Sequence, residues 1–300
     1  MISEFPLRSR FAPTPSGYLH LGNGVNFIIT WILVRRAGGI LRLRIDDGDG
    51  QRCRSEYVDD VFRQLDWLGL DWDEGPQGAD EFHRSYSQHH RFDRYRQLLQ
   101  RLREEGHAYS CDCSRREIRA KVGNSVYPGF CRLKSKTENT NGATRLLVPG
   151  GVVVQVEGKE VGLTENMGDF ILWRRDNSPS YQLASLADDL DDRISLIVRG
   201  EDLLGSTAAQ LFMSRCLDEQ SFSRSQFFHH GLVTGPAGAK LSKSDRALSL
   251  HSMREQGAEP LDVYRAAAPF LAIDPREVTS LEDLLQGSRD TSAPEFILPS

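Results

Sequence analysis

The residues with most chemical content stand near the start of the chain, in Arg10 to Asn23, R-F-A-P-T-P-S-G-Y-L-H-L-G-N. Pro13, Pro15 and Gly17 crowd the approach to His20 and Gly22, and an apolar run follows from Val25 to Val34. Two prolines exclude a helix before Gly17, and the run after Asn23 is long enough for one, so the stretch reads as strand, tight loop, helix. A helix that starts at a glycine-containing turn offers unpaired N–H groups and the positive end of its dipole, a seat for phosphate. His20 sits at that seat. The second chemical stretch is Gly235 to Ser244, G-P-A-G-A-K-L-S-K-S. It is not a Walker loop, because Ala239 separates Gly238 from Lys240 where that motif needs them adjacent. It does carry Lys240 and Lys243 beside glycines, suited to neutralising charge that builds up in a phosphoryl or nucleotidyl transfer. Alone, K-L-S-K-S is also just a basic loop.

A third group is Cys111, Cys113, Tyr127 and Cys131, spaced C-x-C-x13-Y-x3-C. Three thiolates suit a borderline-soft ion such as zinc, and a tetrahedral site needs one more ligand, for which Tyr127, Asp112 and His107 are candidates. The other reading is incidental cysteines in a reducing compartment. The chain has five cysteines, an odd number with three crowded together, which favours metal over disulfide. From Arg101 to Lys136 there are nine Lys or Arg against four Asp or Glu, an excess of +5 in a chain of net charge -5. This module is the place for a polyanion to touch, although a solvated basic face has the same composition.

The elements that must position these groups follow from period and punctuation. Gly39 to Ile45 alternates apolar and basic residues, as a strand does, and ends in Asp46, Asp47, Gly48 and Asp49. Carboxylates at a strand's carboxyl end are placed to meet a ligand in an open parallel sheet; the bland alternative is a polar turn. Glu56 to Leu70 and His89 to Glu105 carry helical apolar stripes. Lys134 to Gly142 reads as a loop, Val148 to Val161 as a glycine-bounded hairpin, Asp169 to Arg175 as a strand and Tyr181 to Asp189 as a helix. Ile194 to Val198 is the near-continuous apolar run of a central strand, with Arg199 at its carboxyl end.

The expected fold is therefore α/β, a Rossmann-type doubly wound parallel sheet interrupted by an α+β zinc module. Residues 8–100 form its first half, 101–187 the insertion, 188–234 the second half, and 235–300 the lysine loop with a short helical C-terminal region. A chain of 300 residues, 39% hydrophobic and 26% charged, can bury a sizeable core. No run approaches the roughly 18 apolar residues of a membrane span, and Met1 to Arg10 lacks the apolar core of a signal peptide. A cytoplasmic monomer without a membrane partner is expected.

P-x-P-x-G-Y-L-H-L-G-N resembles the first signature of class I aminoacyl-tRNA synthetases, and K-L-S-K-S their second. L-R-I-D-D-G-D-G-Q-R, the Cys/Tyr/Cys insertion, D-F-I-L-W-R-R-D and I-V-R-G-E-D-L-L resemble the glutamyl branch, in order across most of residues 8–250. Only about 55 residues follow Ser244, so no anticodon-binding domain is expected. In this the chain is similar to the truncated glutamyl-Q tRNA(Asp) synthetases, which attach glutamate to queuosine at the wobble position of tRNA(Asp).

That resemblance implies specific roles. Arg10, Phe11, Ala12, Pro13 and Thr14 would hold L-glutamate, Asp46 would take its amino group, and Tyr181 and Arg199 would complete the pocket. His20, Gly22, Asn23, Lys240 and Lys243 would bind ATP, accompanied by Mg2+, with His20 and Lys243 catalytic. One structural Zn2+ would sit on Cys111, Cys113, Tyr127 and Cys131, and tRNA(Asp) bearing queuosine would be the acceptor. The sequence departs from the pattern at Asn23, where full-length relatives have histidine, and at Asp46, where the glutamyl branch has glutamate. Two extra residues also separate Cys113 from Tyr127. A short glutamyl-tRNA synthetase charging a tRNA 3' end and a non-catalytic RNA-binding paralogue are the competing readings. A nucleotidylyltransferase would not account for Arg199 and the cysteines together.

Overall fold

The computed structural model describes residues 6–50, 52–123, 126–133, 142–233 and 249–290. Its elements run β1 (Arg8–Phe11), α1 (Leu21–Arg36), β2 (Ile40–Leu43), α2 (Ser55–Trp67), α3 (Ala79–Glu81), α4 (Phe92–Glu104), β3 (Ala108–Cys111), α5 (Arg115–Val122), β4 (Ala143–Leu146) and β5 (Val153–Val156). They continue with β6 (Lys159–Gly162), α6 (Leu163–Asn166), β7 (Ile171–Trp173), α7 (Tyr181–Asp191), β8 (Leu196–Gly200), α8 (Leu204–Cys216), α9 (Gln220–Ser223), β9 (Gln226–His230), α10 (Leu250–Glu255), α11 (Leu261–Ala267) and α12 (Leu281–Asp290). Two compact units result: Met1–Ser87 with Ile194–Asp202 and Ser225–Ser300, and Gln88–Arg193 with Leu203–Arg224.

In the first unit β1 pairs parallel with β2, and β8 pairs parallel with β9, Arg199 lying opposite His229. Ser195 N–H donates to Arg8 C=O at 2.9 Å and Ser9 Oγ to Leu196 C=O at 2.8 Å, so β1 and β8 advance side by side in one direction. Continuing that register brings Arg199 level with the exit of β1. The organising element is α1, whose Val25, Ile28, Ile29, Ile32 and Val34 are 0% exposed. A helix apolar on every side must be covered on every side. β1 and β8 pack against it, and so do α11 and α12. The strand expected over 39–45 is β2, and the helix expected over 56–70 is α2. The helix expected from His89 begins at Phe92, because Gln88–Arg91 coils as a tighter 3-10 turn.

The second unit holds an antiparallel sheet in the order β3-β4-β7, with Ala108 opposite Leu146 and Thr144 opposite Trp173. The expected hairpin is present as β5 and β6, Val153 opposite Gly162. The acidic end of α7 is structural. Asp188 is 0% exposed and accepts from Tyr95 Oη and Gln88 Nε2, both at 2.8 Å, with Arg91 Nε at 3.1 Å. A buried carboxylate is tolerated when donors and a cation surround it, and here they come from α4 and the turn before it.

Candidate active site

His20 is the N-cap of α1, in extended backbone at φ -94 and ψ 169. Its Nδ1 accepts from Asn23 N–H at 3.3 Å, and Asn23 Oδ1 accepts from His20 N–H at 3.0 Å. This reciprocal box gives Asn23 a definite job: it fixes the backbone and ring of His20 together. With Nδ1 accepting, a neutral ring carries its proton on Nε2 and can donate it. Gly22 leaves the ring its place, since a Cβ there would stand 3.1 Å from two imidazole atoms. Lys240 and Lys243 lie outside the described residues. Where description resumes, Ser249 bridges His20, and Leu250 N–H donates to Leu19 C=O at 2.8 Å. Gly24 permits this close approach: a Cβ on it would sit 2.9 Å from Val263 Cγ1 and 3.2 Å from Leu250. The chain that follows the lysine stretch is thus anchored on the loop that carries His20.

The expected glutamate residues of the first unit gather where β1, β2 and β8 end. Arg10 and Arg199 are buried, 4% and 3% exposed. Arg44 N–H donates to Phe11 C=O at 2.9 Å and Asp46 N–H to Pro13 C=O at 2.8 Å, which stitches Asp46 to the exit of β1. Phe11 turns its ring into the core, 5.0 Å from that of Phe27, while Thr14 is exposed. Ala12 lies between them, half-buried. The acidic run is well partnered. Asp46 accepts from Arg44 Nε at 2.7 Å, Asp47 from Ser87 Oγ at 2.6 Å, and Asp49 pairs with Arg52 at 3.0 Å. Tyr181 opens α7 in the second unit, behind the N-cap Ser180.

Sequence reasoning passed over His230 and Asn26. His230 closes β9, with Nδ1 2.9 Å from Gly231 C=O and Nε2 3.1 Å from Asn26 Nδ2 on α1. Nδ1 therefore donates and Nε2 accepts, so the ring is neutral, and burial holds its pKa below the ordinary histidine value. The available signal was a histidine pair ending an aromatic strand, F-F-H-H. Also missed was Asp60, 1% exposed on α2, whose Oδ1 lies 2.9 Å from His251 Nδ1. The His251 ring stacks on Tyr18 at 4.0 Å.

In the second unit the Sγ atoms of Cys111, Cys113 and Cys131 all lie within 4.8 Å of one another. Among the described residues they are the one set of His, Cys, Asp or Glu side chains grouped closely enough to share an ion. A tetrahedral ion about 2.3 Å from each sulfur needs sulfurs roughly 3.8 Å apart, and Cys113 Sγ and Cys131 Sγ stand 3.6 Å apart. The Tyr127 hydroxyl faces it, 3.5 Å from Cys113 Sγ, and accepts from Cys131 N–H at 2.9 Å. His107 is half-exposed beside Glu105, and Asp112 is exposed. Burial raises the Cys113 thiol and the Tyr127 phenol. At Cys131 burial is outweighed by hydrogen bonds from Tyr127 and Asp112 N–H, which bring the thiol down to about 7. Buried Asp169 braces this cluster, accepting from Arg132 Nε at 2.7 Å and Nη2 at 2.6 Å, from Val148 N–H at 2.8 Å, and from Tyr109 Oη.

Comparison with known proteins gives this geometry its family. Residues 6–270 match the family model described as tRNA synthetases class I (E and Q), catalytic domain. A glutamyl-Q tRNA(Asp) synthetase of Geobacter sulfurreducens is 37% identical over 281 residues, 90% of this chain and 86% of that one. Its counterpart from Symbiobacterium thermophilum is 36% identical, over 85% of this chain and 83% of that one. Glutamate–tRNA ligase 1 of Alkalilimnicola ehrlichii is 37% identical, but the match spans only 54% of its length. The glutamate tRNA ligase structure from Elizabethkingia meningosepticum superposes with a TM-score of 0.75 at 24% identity, covering 94% of this chain and 64% of that one, and so shares the fold. The chain belongs to the class I tRNA synthetases of the glutamate and glutamine branch.

Proposed function

We propose that the protein activates L-glutamate with ATP and transfers the glutamyl group to the queuosine base of tRNA(Asp). The observation that carries this reading is the gathering of Arg10, Asp46 and Arg199 at the carboxyl ends of three neighbouring parallel strands, with His20 at the start of α1 just beyond. In an open α/β sheet that is where a ligand lies. Planar guanidiniums suit bidentate capture of a carboxylate, which favours glutamate over glutamine. Asp46, already held by Arg44, would take the amino group, and Tyr181 is the remaining member of the set. Phe11 and Pro13 would set the path of the chain around Ala12 and Thr14. The queuosine acceptor is supported by relatives of that name, matched over more than four fifths of their length.

In the first step the α-carboxylate oxygen of glutamate would attack the α-phosphorus of ATP and pyrophosphate would leave with the bonding electrons; Mg2+ bound with the ATP would neutralise phosphate charge. His20 Nε2–H, the N–H groups around Gly22 and Asn23, and Lys240 and Lys243 would stabilise the charge. In the second, a hydroxyl of the queuosine cyclopentenediol attacks the acyl carbon, and AMP departs with the bonding electrons while the hydroxyl proton is released. Positioning and electrostatics carry both steps without a protein nucleophile. Cys111, Cys113, Cys131 and Tyr127 would hold one Zn2+, which cross-links β3 to the Tyr127–Cys131 segment and supplies structure rather than reaction chemistry.

Glutamate-dependent exchange of labelled pyrophosphate into ATP tests the first step. Exchange with glutamate and none with glutamine is expected; absence of exchange in folded protein would overturn it. Labelled glutamate offered with tRNA(Asp), with and without queuosine, and with tRNA(Glu) tests the second. Incorporation that requires queuosine supports the reading, and charging of tRNA(Glu) at its 3' end replaces it with a glutamyl-tRNA synthetase.

A further inference from the structure

Asp60 stands on the face of α2 that also buries Val58, Val61 and Leu65. A carboxylate taken out of water among apolar side chains is costly unless donors meet it. Two do, both at Oδ1: Gln64 Nε2, one turn further along the same helix, and His251 Nδ1 on α10, each at 2.9 Å. Facing a carboxylate, Nδ1 is the donor. Asp60 Oδ2 and Gln64 Oε1 are buried and make no hydrogen bond, and among the described residues His251 is the one hydrogen-bond partner that Asp60 takes from another element. With Nδ1 committed to Asp60, the His251 imidazole lies flat on the Tyr18 ring, centroids 4.0 Å apart and planes 14° from parallel. The Tyr18 ring also meets Tyr57 of α2 edge-on, centroids 5.1 Å apart at 80°. Tyr18 is 42% exposed, so ring contacts rather than burial hold it. Gly17 beside it adds no packing, since a Cβ built there would meet nothing within 4 Å. Two residues past Tyr18 comes His20, and Leu19 between them is buried, its C=O accepting from the N–H of Leu250, the neighbour of His251.

We infer that Asp60, His251 and Tyr18 form a buckle that fixes the loop from Gly17 to His20, and that they are positioning residues for the nucleotide step. The box with Asn23 sets the His20 ring against its own helix, while the buckle sets the approach of the loop to that helix. Asp60 acts through His251, His251 through Tyr18, and Tyr18 through the backbone of Leu19 on His20. A hydrogen bond to a charged acceptor is strong and directional, so it orients the imidazole, and the flat imidazole gives an exposed phenol a face to stack on. Misplacing a catalytic group by about 1 Å can cost about 100-fold in rate, so a slack loop is felt in turnover while the core stays folded. This role rests on His20 acting in the nucleotide step, as the proposed function has it.

The test follows glutamate-dependent pyrophosphate exchange in the full-length protein, well below the melting midpoint of each variant. Tyr18→Ala, which removes an exposed ring and leaves the core intact, should lower kcat about 10-fold while KM for glutamate stays within about 3-fold. His251→Asn keeps a donor for Asp60 without the ring, and His251→Phe keeps the ring without the donor; each should lose about as much, because either link broken frees the loop. Tyr18→Phe keeps the stacking ring and should restore the rate to within about 2-fold of wild type. Tyr18→Ala combined with His251→Asn should lose no more than the worse single variant, as expected of residues acting in one chain. A role in stability alone would lower the midpoints and leave kcat unchanged, which overturns the inference, as do additive losses in the double variant. A loss in Tyr18→Ala with both His251 variants at the wild-type rate would make Tyr18 a direct substrate contact and also overturn the buckle. A second arm needs no turnover: deuterium uptake by the peptide covering residues 16–24 should speed up about 10-fold in Tyr18→Ala and His251→Asn and stay at the wild-type rate in Tyr18→Phe. Should wild type show no activity with glutamate, that failure falls on the proposed function, and unchanged uptake in those variants is the result that sinks the buckle.

Discussion

Asp169→Asn keeps shape and removes charge at the brace of the cysteine cluster, and its cost can be worked from the hydrogen bonds. Asp169 is 0% exposed, and its two oxygens accept four donors: Arg132 Nε and Tyr109 Oη at Oδ2, Arg132 Nη2 and Val148 N–H at Oδ1. Asparagine has one carbonyl oxygen, so either orientation of the amide points an NH2 at two donors. At least one bond from Arg132 is broken, together with one from Tyr109 or Val148. Bonds to a charged partner are worth about 1.5–3 kcal/mol and neutral ones about 1 kcal/mol. Tyr109 can rotate its hydroxyl away, and Arg132, 30% exposed, recovers some hydration. The net loss should be on the order of 3 kcal/mol, at the lower end of what breaking a buried pair costs. Because Asp169 N–H also donates to Tyr127 C=O at 2.9 Å, the damage reaches the thiol cluster. Urea unfolding followed by second-unit probes, with zinc release to a colorimetric chelator in parallel, should show an earlier transition and faster release. A midpoint within about 0.5 kcal/mol of wild type, with unchanged release, would refute this account of the brace, since surface substitutions stay within that range.

Three further outcomes are expected. Burial, then the charges of Asp47 and Asp49, pushes the Cys53 thiol up to about 12, and burial then Glu105 pushes Cys216 up to about 11; at pH 8 both should resist iodoacetamide in native protein and label freely in urea, and native labelling of Cys53 at a free-thiol rate would contradict the structure. Because the folded pKa of His230 is depressed by burial, the unfolded chain binds its proton first, so stability should fall as pH drops through about 6.5, and His230→Asn should shrink the difference in urea midpoint between pH 8 and pH 5.5. His251→Phe keeps the stack on Tyr18 but removes a donor from Asp60, whose Oδ2 already makes no hydrogen bond, so a loss of about 1–3 kcal/mol is expected in the melt, and a neutral result would show that the pair contributes little.

Much of the candidate site was legible because local rules govern it. Two prolines before an apolar run mark a loop and a helix start whatever the chain does elsewhere, and His20 is found at that start. The hairpin β5–β6 and the helix α7 follow from glycine punctuation and period in the same way. Other features depended on partners far away in the chain. The capping role of Asn23 was hidden because a signature position suggests a ligand contact and does not show that Oδ1 also accepts from His20 N–H. The acidic run after β2 read as open carboxylates, but Arg44 is two residues away and Ser87 forty, and only folding brings Ser87 to Asp47. The helix over Tyr181 to Asp189 was legible, but the burial of Asp188 was not, because its donors Tyr95 and Gln88 lie some ninety to a hundred positions away.

What the sequence determined by itself is the chemistry on offer: a histidine at a helix start, lysines in a glycine-containing stretch, arginines beside strand ends, three cysteines and a tyrosine at metal-like spacing. Residue type and short-range spacing set these, since dihedral preferences, capping and periodicity act within a few residues. Tertiary structure decided which of those groups share a place. It put Tyr127 rather than His107 or Asp112 against the thiols, docked Ser249 on His20 through the space left by Gly24, and laid His251, held by Asp60, on the ring of Tyr18. Those outcomes turn on contacts between residues tens of positions apart, which close packing selects and local pattern does not encode.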